Sequence, residues 1–210
     1  MADNGALAFD HLAVSGETLE DARAHVEQAL GVALQPGGRH DVFFTHNALL
    51  GMQDGLYLEA IAIDPNAETP TRPRWFALDQ FAGPPQLTNW ICRSSDLAAS
   101  LAGLPQTMGE PVALARGNYR WSMAVPETGA LPYDNKAPAL IQWHAGGHPC
   151  DVLTPAPIKL RRLTLRHPDA GGLKDMLDPF LTDDRLAFET GESACEAVFE
   201  TGHGDRMLTG

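Results

Sequence analysis

The chain is short of positive charge, of cysteine and of long apolar runs, and each shortage removes a class of function. Lysine and arginine number 15 against 27 aspartates and glutamates, a formal net charge of −12 over 210 residues. Such a chain repels a phosphate backbone or an anionic bilayer, both of which need clustered Lys and Arg. Its one basic cluster, Lys159, Arg161, Arg162 and Arg166, falls in a strand-like run and reads as a solvated face. Neither nucleic acid nor membrane is expected as a partner. The three cysteines, Cys92, Cys150 and Cys195, are scattered and form no CxxC pair, which points to a reducing compartment rather than a disulfide framework. No run approaches the ~18 apolar residues of a membrane span. The first ten residues, MADNGALAFD, lack a basic segment followed by an apolar one, so a cytoplasmic location is expected. Also missing are a GxSxG elbow, a phosphate loop and a Cys–His pair at recognisable spacing.

What is present is a restarting pattern. Hydrophobic residues make up 44% and charged residues 20% of the chain, the composition of a globular protein with a core. LAFDHLAVS (Leu7 to Ser15) alternates as a strand does. Thr18 then caps a helix carrying Leu19, Ala22, Val26, Ala29 and Leu30 at three- and four-residue spacing, and Gly31 sits where the helix must end. Three strands are predicted next, Arg39 to Phe44, Thr45 to Met52 and Leu56 to Ile63, the last two joined by a turn at Gln53-Asp54-Gly55. A proline-rich connector follows over 64–85, interrupted by RWFALDQF (Arg74 to Phe81), which is too apolar to stand free and reads as a short helix or turn packed on the modules. The pattern restarts at Gln86, with Ser95 as cap and Leu97, Leu101 and Leu104 as the helical stripe, and strands near 112–114, 119–125 and 138–144. It restarts again at Lys159, with a helical stripe of Leu173, Met176, Leu177 and Phe180 and strands over 185–189 and 194–201. The expected fold is α+β: a first βαβββ module over 7–63, a connector over 64–85, a second module over 86–154 and a C-terminal partial βαββ unit over 155–210.

Aligned strand against strand, FDHLAVSGETL (Phe9 to Leu19) faces TNWICRSSDL (Thr88 to Leu97) and RRLTLRHPDA (Arg161 to Ala170). With GLYLEAIAID (Gly55 to Asp64) closing the first unit, and with the HNALLGMQDGLYLEAIA hairpin and RPRWFALD connector, the chain resembles the vicinal oxygen chelate superfamily (glyoxalase, bleomycin resistance and extradiol dioxygenase proteins) and within it the glyoxalase-like domain branch. The resemblance is carried by residues 7–154. It implies that the two modules pair into an incomplete, cleft-bearing barrel. It also implies, for metal-dependent members, one divalent ion (Fe, Mn, Ni or Zn) held by a His and a Glu from the first and fourth strands of each module.

On that pattern His11 and Glu59 are the first pair, as metal ligands or as metal-free catalytic groups. His11 is read as sharing a face with Phe9 and Ala13, and Glu59 with Tyr57 and Ile61. A carboxylate inside an apolar run needs a partner, which supports a cleft position for Glu59. By register Trp90 and Gln142 take the places of the second pair; the separations, 48 residues in one module and 52 in the other, are similar. Trp cannot ligate a metal and Gln offers one neutral carbonyl, so whether a metal binds stays open. His46, Trp121 and His144 complete the candidate substrate-binding set. Two functions are compatible with these residues. One is a glyoxalase-like enzyme, a lyase/isomerase or dioxygenase acting on a small oxygenated or carbonyl compound. The other is a non-catalytic protein of the sequestering, resistance type with an aromatic wall. The partner is a small molecule, and a homodimer is the assembly to test for.

Overall fold

A computed structural model describes residues 6–210; Met1 to Gly5, on which part of the leader argument rests, lie outside the described residues. The first module runs β1 (Leu7–Ser15), α1 (Leu19–Leu30), β2 (Gln35–His40), β3 (Thr45–Met52) and β4 (Tyr57–Ile63). The Thr18 side chain accepts from Asp21 N at the start of α1, and Gly31, at φ 73°, closes it with its N–H on the Glu27 carbonyl. Strand β2 begins four residues before the predicted Arg39. It takes in Pro36-Gly37-Gly38, with a register shift between Pro36 and Arg39. An edge strand tolerates both the proline and the bulge. The second module runs β5 (Gln86–Ser94), α2 (Leu97–Ala102), β6 (Glu110–Arg116), β7 (Tyr119–Val125) and β8 (Ala139–Ala145). Its helix is capped by Asp96, which accepts from Ala99 N, and not by Ser95.

These strands share one curled sheet in the order β2-β3-β4-β1-β5-β8-β7-β6, and a two-residue strand β9 (Pro155–Ala156) pairs with β3. The modules join through β1 and β5, which run antiparallel with Leu12 opposite Trp90 at the centre of the register. Each of these strands carries one extra residue, Asp10 in β1 and Thr88 in β5, placed symmetrically about that centre. A bulge adds a residue and reverses the alternation beyond it. Phe9, Leu12 and Val14 therefore share the outer core with Leu87, Trp90 and Cys92, while Ala13 and Ile91 belong to the inner one. The expectation that Phe9 shares a face with His11 fails on this bulge.

The C-terminal unit consists of β10 (Ile158–His167), α3 (Ala170–Leu177), β11 (Leu186–Thr190), β12 (Ala194–Thr201) and β13 (Gly204–Thr209). It has one strand more than the partial unit expected, and its wiring is not that of the modules. β11 lies parallel and directly beside β10 in a separate sheet ordered β11-β10-β12-β13. Leu160, Leu163, Leu165, Ala197, Phe199 and Leu208 from this sheet are buried in the same core as Leu12, Val14, Ala22 and Val26. The outer face of the curled sheet is thus covered by α1, α2 and the second sheet. The inner face is left to the connector, whose 3-10 turn Trp75–Gln80 packs Trp75, Phe76 and Leu78 against Ile61, Ile91, Met123 and Ile141.

Candidate functional site

His11 and Glu59 come together on the inner face, with His11 Nε2 3.8 Å from Glu59 Oε2. Pairing explains it: β1 and β4 are parallel, with His11 opposite Tyr57 and Ala13 opposite Glu59, so the histidine and the carboxylate converge over a small alanine. Tyr57 stacks flat on the His11 ring, centroids 4.2 Å apart. Burial first, and then the negative charges of Asp10 and Glu59, push the Tyr57 phenol well above its usual range and keep it protonated.

The bulge brings in a second carboxylate. Asp10 is fully buried, and its Oδ1 lies 2.6 Å from His11 Nδ1. Its Oδ2 accepts from His148 Nε2 at 3.0 Å and from Trp143 Nε1 at 3.3 Å. Burial alone would raise this carboxyl, but the hydrogen bonds from His11 and His148 outweigh it and hold Asp10 well below the usual carboxylate range. With an ionised acceptor at Nδ1, that nitrogen carries the proton, and Nε2 is the nitrogen facing Glu59. Glu59 is held in turn: Asn47 Nδ2 donates to Oε1 at 2.5 Å, which leaves Oε2 free. Asn47 Oδ1 accepts from Gly38 N and Arg116 Nη1, and the same guanidinium nitrogen lies 3.2 Å from His40 Nε2. Sequence alternation missed Asp10, though a signal was there, since an aspartate left on the apolar face of LAFDHLAVS would have had no partner. His148 gave no such signal, because its place depends on a contact 138 residues away.

The remaining candidates separate. Trp121 lines the inner cleft with Trp143, their rings 5.6 Å apart. Trp90 does not: it is fully buried on the outer side, edge-on to Phe9, with its indole N–H on the Lys136 carbonyl. Gln142 also points outward, accepting from Leu97 N and donating to Ser95 O at the start of α2. His144 is exposed and paired with Ser122. His46 opens onto an outer groove of about 750 Å³ between α1 and β2–β3. The symmetry of the β1–β5 register names the true counterparts of the first pair. Asn89, opposite Ala13, matches His11, which is opposite Ile91, and Ala139, opposite Ile91, matches Glu59, which is opposite Ala13.

A divalent ion does not fit this donor set. With Asp10 on Nδ1 and Asn47 on Oε1, His11 Nε2 and Glu59 Oε2 are the two donors left to an ion, and the second module adds only an amide and a methyl at the matching positions. Among the described residues no group of three or more His, Cys, Asp and Glu side chains is placed to hold a metal, and a catalytic ion ordinarily takes at least three protein ligands. The cleft is also nearly filled: the cavity bordered by His11, Glu59, Tyr57 and Trp75 is about 30 Å³, enough for one or two waters. A wider basin of about 610 Å³, lined by Trp143 and His148, shares Trp143 with it. Among the described residues no helix is long and apolar enough to cross a membrane.

Compared with known proteins, residues 9–181 match the family model described as a glyoxalase-like domain. No curated protein matches the chain. Among solved structures, a hypothetical protein from Staphylococcus aureus aligns with a TM-score of 0.61 at 16% identity, over 89% of this chain and 87% of that one, and shares the fold. Methylmalonyl-CoA epimerase from Mycobacterium tuberculosis aligns with a TM-score of 0.44 at 21% identity, over 66% of this chain and 88% of that one. A Streptomyces coelicolor methylmalonyl-CoA epimerase in complex with 2-nitronate-propionyl-CoA aligns with a TM-score of 0.41 at 14% identity, over 66% and 97%.

Proposed function

The chain belongs to the glyoxalase-like domain family of the vicinal oxygen chelate superfamily, and from that premise we propose that it is an acid–base enzyme of the isomerase/lyase class acting on a small carbonyl compound. The observation that carries the proposal is the line Asp10–His11–Glu59 on the inner face, an imidazole between two carboxylates with one of them ionised and hydrogen-bonded to Nδ1. Glu59 Oε2, the free oxygen, removes a proton from the carbon beside a carbonyl, and the electron pair of that bond moves onto the carbonyl oxygen. His11 Nε2, which carries no proton in the tautomer that Asp10 holds, first takes one from solvent. It then gives that proton to the carbon as the electron pair moves back from the oxygen, while Glu59 releases its proton to solvent. The net change is an isomerisation without oxidation or reduction. Asp10 holds the tautomer and orientation of His11, and Asn47 holds Glu59.

The test is deuterium wash-in. Hydroxyacetone and other small α-hydroxy ketones are incubated with the protein in D₂O and followed by NMR. Exchange at the carbon beside the carbonyl is expected to fall about 10²–10⁴-fold in Glu59→Gln, the range typical of a lost general base. Exchange that is absent in the parent, or undiminished in the variant, sinks the proposal. The aromatic lining of Tyr57, Trp75, Trp121 and Trp143 favours a second reading, a sequestering protein, which predicts tight binding of flat compounds without any exchange.

A further inference from the structure

We propose that Trp75 and Phe76 form a self-inserted plug, and that the space they fill on the inner face is the binding site for a flat aromatic carboxamide or lactam anchored by Asn89. The proposal rests on the reading above only in placing ligand and chemistry in the same cleft.

Size is the first argument. A cavity of about 30 Å³ beside His11 and Glu59 is an order of magnitude below the roughly 300–1,000 Å³ of small-molecule sites. What fills the space is the connector. Trp75 and Phe76 are each 4% exposed. Trp75 stacks on Phe43 at 4.3 Å, and both plug rings pack among Ile61, Ile91 and Ile141. These walls suit a planar apolar body, whether the chain's own or a ligand's.

Strain in the closed state is the second argument. Phe76 (φ 61°) and Ala77 (φ 56°) are consecutive left-handed residues without glycine's freedom, a conformation that persists only where its surroundings enforce it. Among the hydrogen bonds that enforce it are three: Arg74 Nη1 to Asp79 Oδ1 at 2.5 Å, Arg74 Nε to Phe43 O at 2.9 Å, and Ala77 N to Gly129 O at 2.9 Å; Arg74 N to Asp79 Oδ2 and Asn135 Nδ2 to Phe76 O add to them. None of these reaches β1, β4 or β5.

The third argument is polar atoms left without partners. Trp75 Nε1 and both amide atoms of Asn89 are buried with no hydrogen bond. Asn89 is fully buried and sits on the same side of β5 as Ile91, whose side chain packs with Trp75 and Phe76; it lies across Ala13 from Glu59. Outward movement of the plug hydrates the indole and frees the Asn89 amide to pair with a ligand. One donor beside one acceptor is the complement of a carboxamide or lactam edge, and an unmade buried hydrogen bond is the expensive state that pairing removes.

Benzamide and toluene are the probes, titrated calorimetrically into the whole protein, with deuterium uptake of residues 74–81 followed by mass spectrometry. Benzamide is expected to bind the parent and to raise exchange over 74–81. Phe76→Ala, which empties the site, should tighten benzamide about tenfold or more. Ala77→Gly, which relaxes the closed turn, should weaken it several-fold. Asn89→Leu in the Phe76→Ala background should abolish the preference for benzamide over toluene, its folding checked by thermal melting. The inference is overturned by benzamide failing to bind even Phe76→Ala, by binding without added exchange at 74–81, or by a preference that survives Asn89→Leu. Benzamide has no proton on the carbon beside its carbonyl, so its binding to the parent is read by calorimetry without any proton abstraction by Glu59. Failure of the wash-in assay would therefore leave this result standing, and the reverse holds as well.

Discussion

His40 makes the protein acid-sensitive in a pH range where few other groups act. It is 5% exposed, with Nδ1 2.9 Å from Thr45 Oγ1 and Nε2 3.2 Å from Arg116 Nη1. A guanidinium only donates, so Nε2 must accept and Nδ1 must be the donor to Thr45; the ring is held neutral. Burial above all, and then the positive charge of Arg116, with smaller contributions from His11 and His46, pushes its pKa from 6.5 down to about 3. The unfolded chain therefore binds a proton at this residue from pH 6.5 downward, while the folded one does not until pH 3. Stability is lost as pH falls through that window, by about 1.4 kcal/mol per unit and about 3 kcal/mol at pH 4.5. Against a typical total of about 5–15 kcal/mol this is a large share. Urea unfolding of the parent and of His40→Gln at pH 7.5, 6.0, 5.0 and 4.5 measures it. The parent should lose about 3 kcal/mol more than the variant between the two ends. His46, also pushed down by burial, is present in both proteins and cancels. Asp10, whose carboxyl is held low, takes up protons in the unfolded chain only near and below pH 3.8 and stays out of this window. Parallel slopes for the two proteins would refute the neutral, buried assignment.

Register gives a second prediction. Asn89→His with Ala139→Glu should take up Mn(II) or Ni(II) about 100-fold more tightly than the parent, measured by calorimetry, because it completes four donors, whereas Trp90→His with Gln142→Glu should gain nothing. A Cβ on Gly37 would lie 2.0 Å from Asn47 Oδ1, so Gly37→Ala should displace the residue that holds Glu59, lowering deuterium exchange about tenfold while costing about 1–3 kcal/mol in urea unfolding. Phe199→Ala empties a fully buried position in the second sheet and should cost about 3–5 kcal/mol, with the near-ultraviolet signal of the inner-face tryptophans retained below the transition.

Local chemistry wrote much of this fold into the chain. The cap at Thr18, the stop at Gly31 and the stripe Ala22, Val26 and Leu30 are short-range features, and α1 forms where they place it. Alternation likewise marked β1, β3 and β4, and with them the positions of His11 and Glu59, since a buried carboxylate in YLEAIAI needs a polar neighbour and β1 supplies it. The α+β class follows from the same patterns, and the curled sheet is what the family resemblance implies. Other features were decided only by tertiary structure. The bulges at Asp10 and Thr88 are set by how β1 pairs with β5, and one extra residue moves every later side chain to the opposite face. Asp10 thereby reaches the cleft, Trp90 turns outward to the Lys136 carbonyl and Asn89 inherits the histidine's position. Wiring of the C-terminal unit, with β11 beside β10, is equally invisible in a pattern of elements that merely repeats. The plug is the plainest case. RWFALDQF announces that it must bury its rings, but a run of apolar residues carries no address, because hydrophobic burial is non-directional; only the assembled concave face, with Phe43, Ile61 and Ile91 brought together, determined where they went.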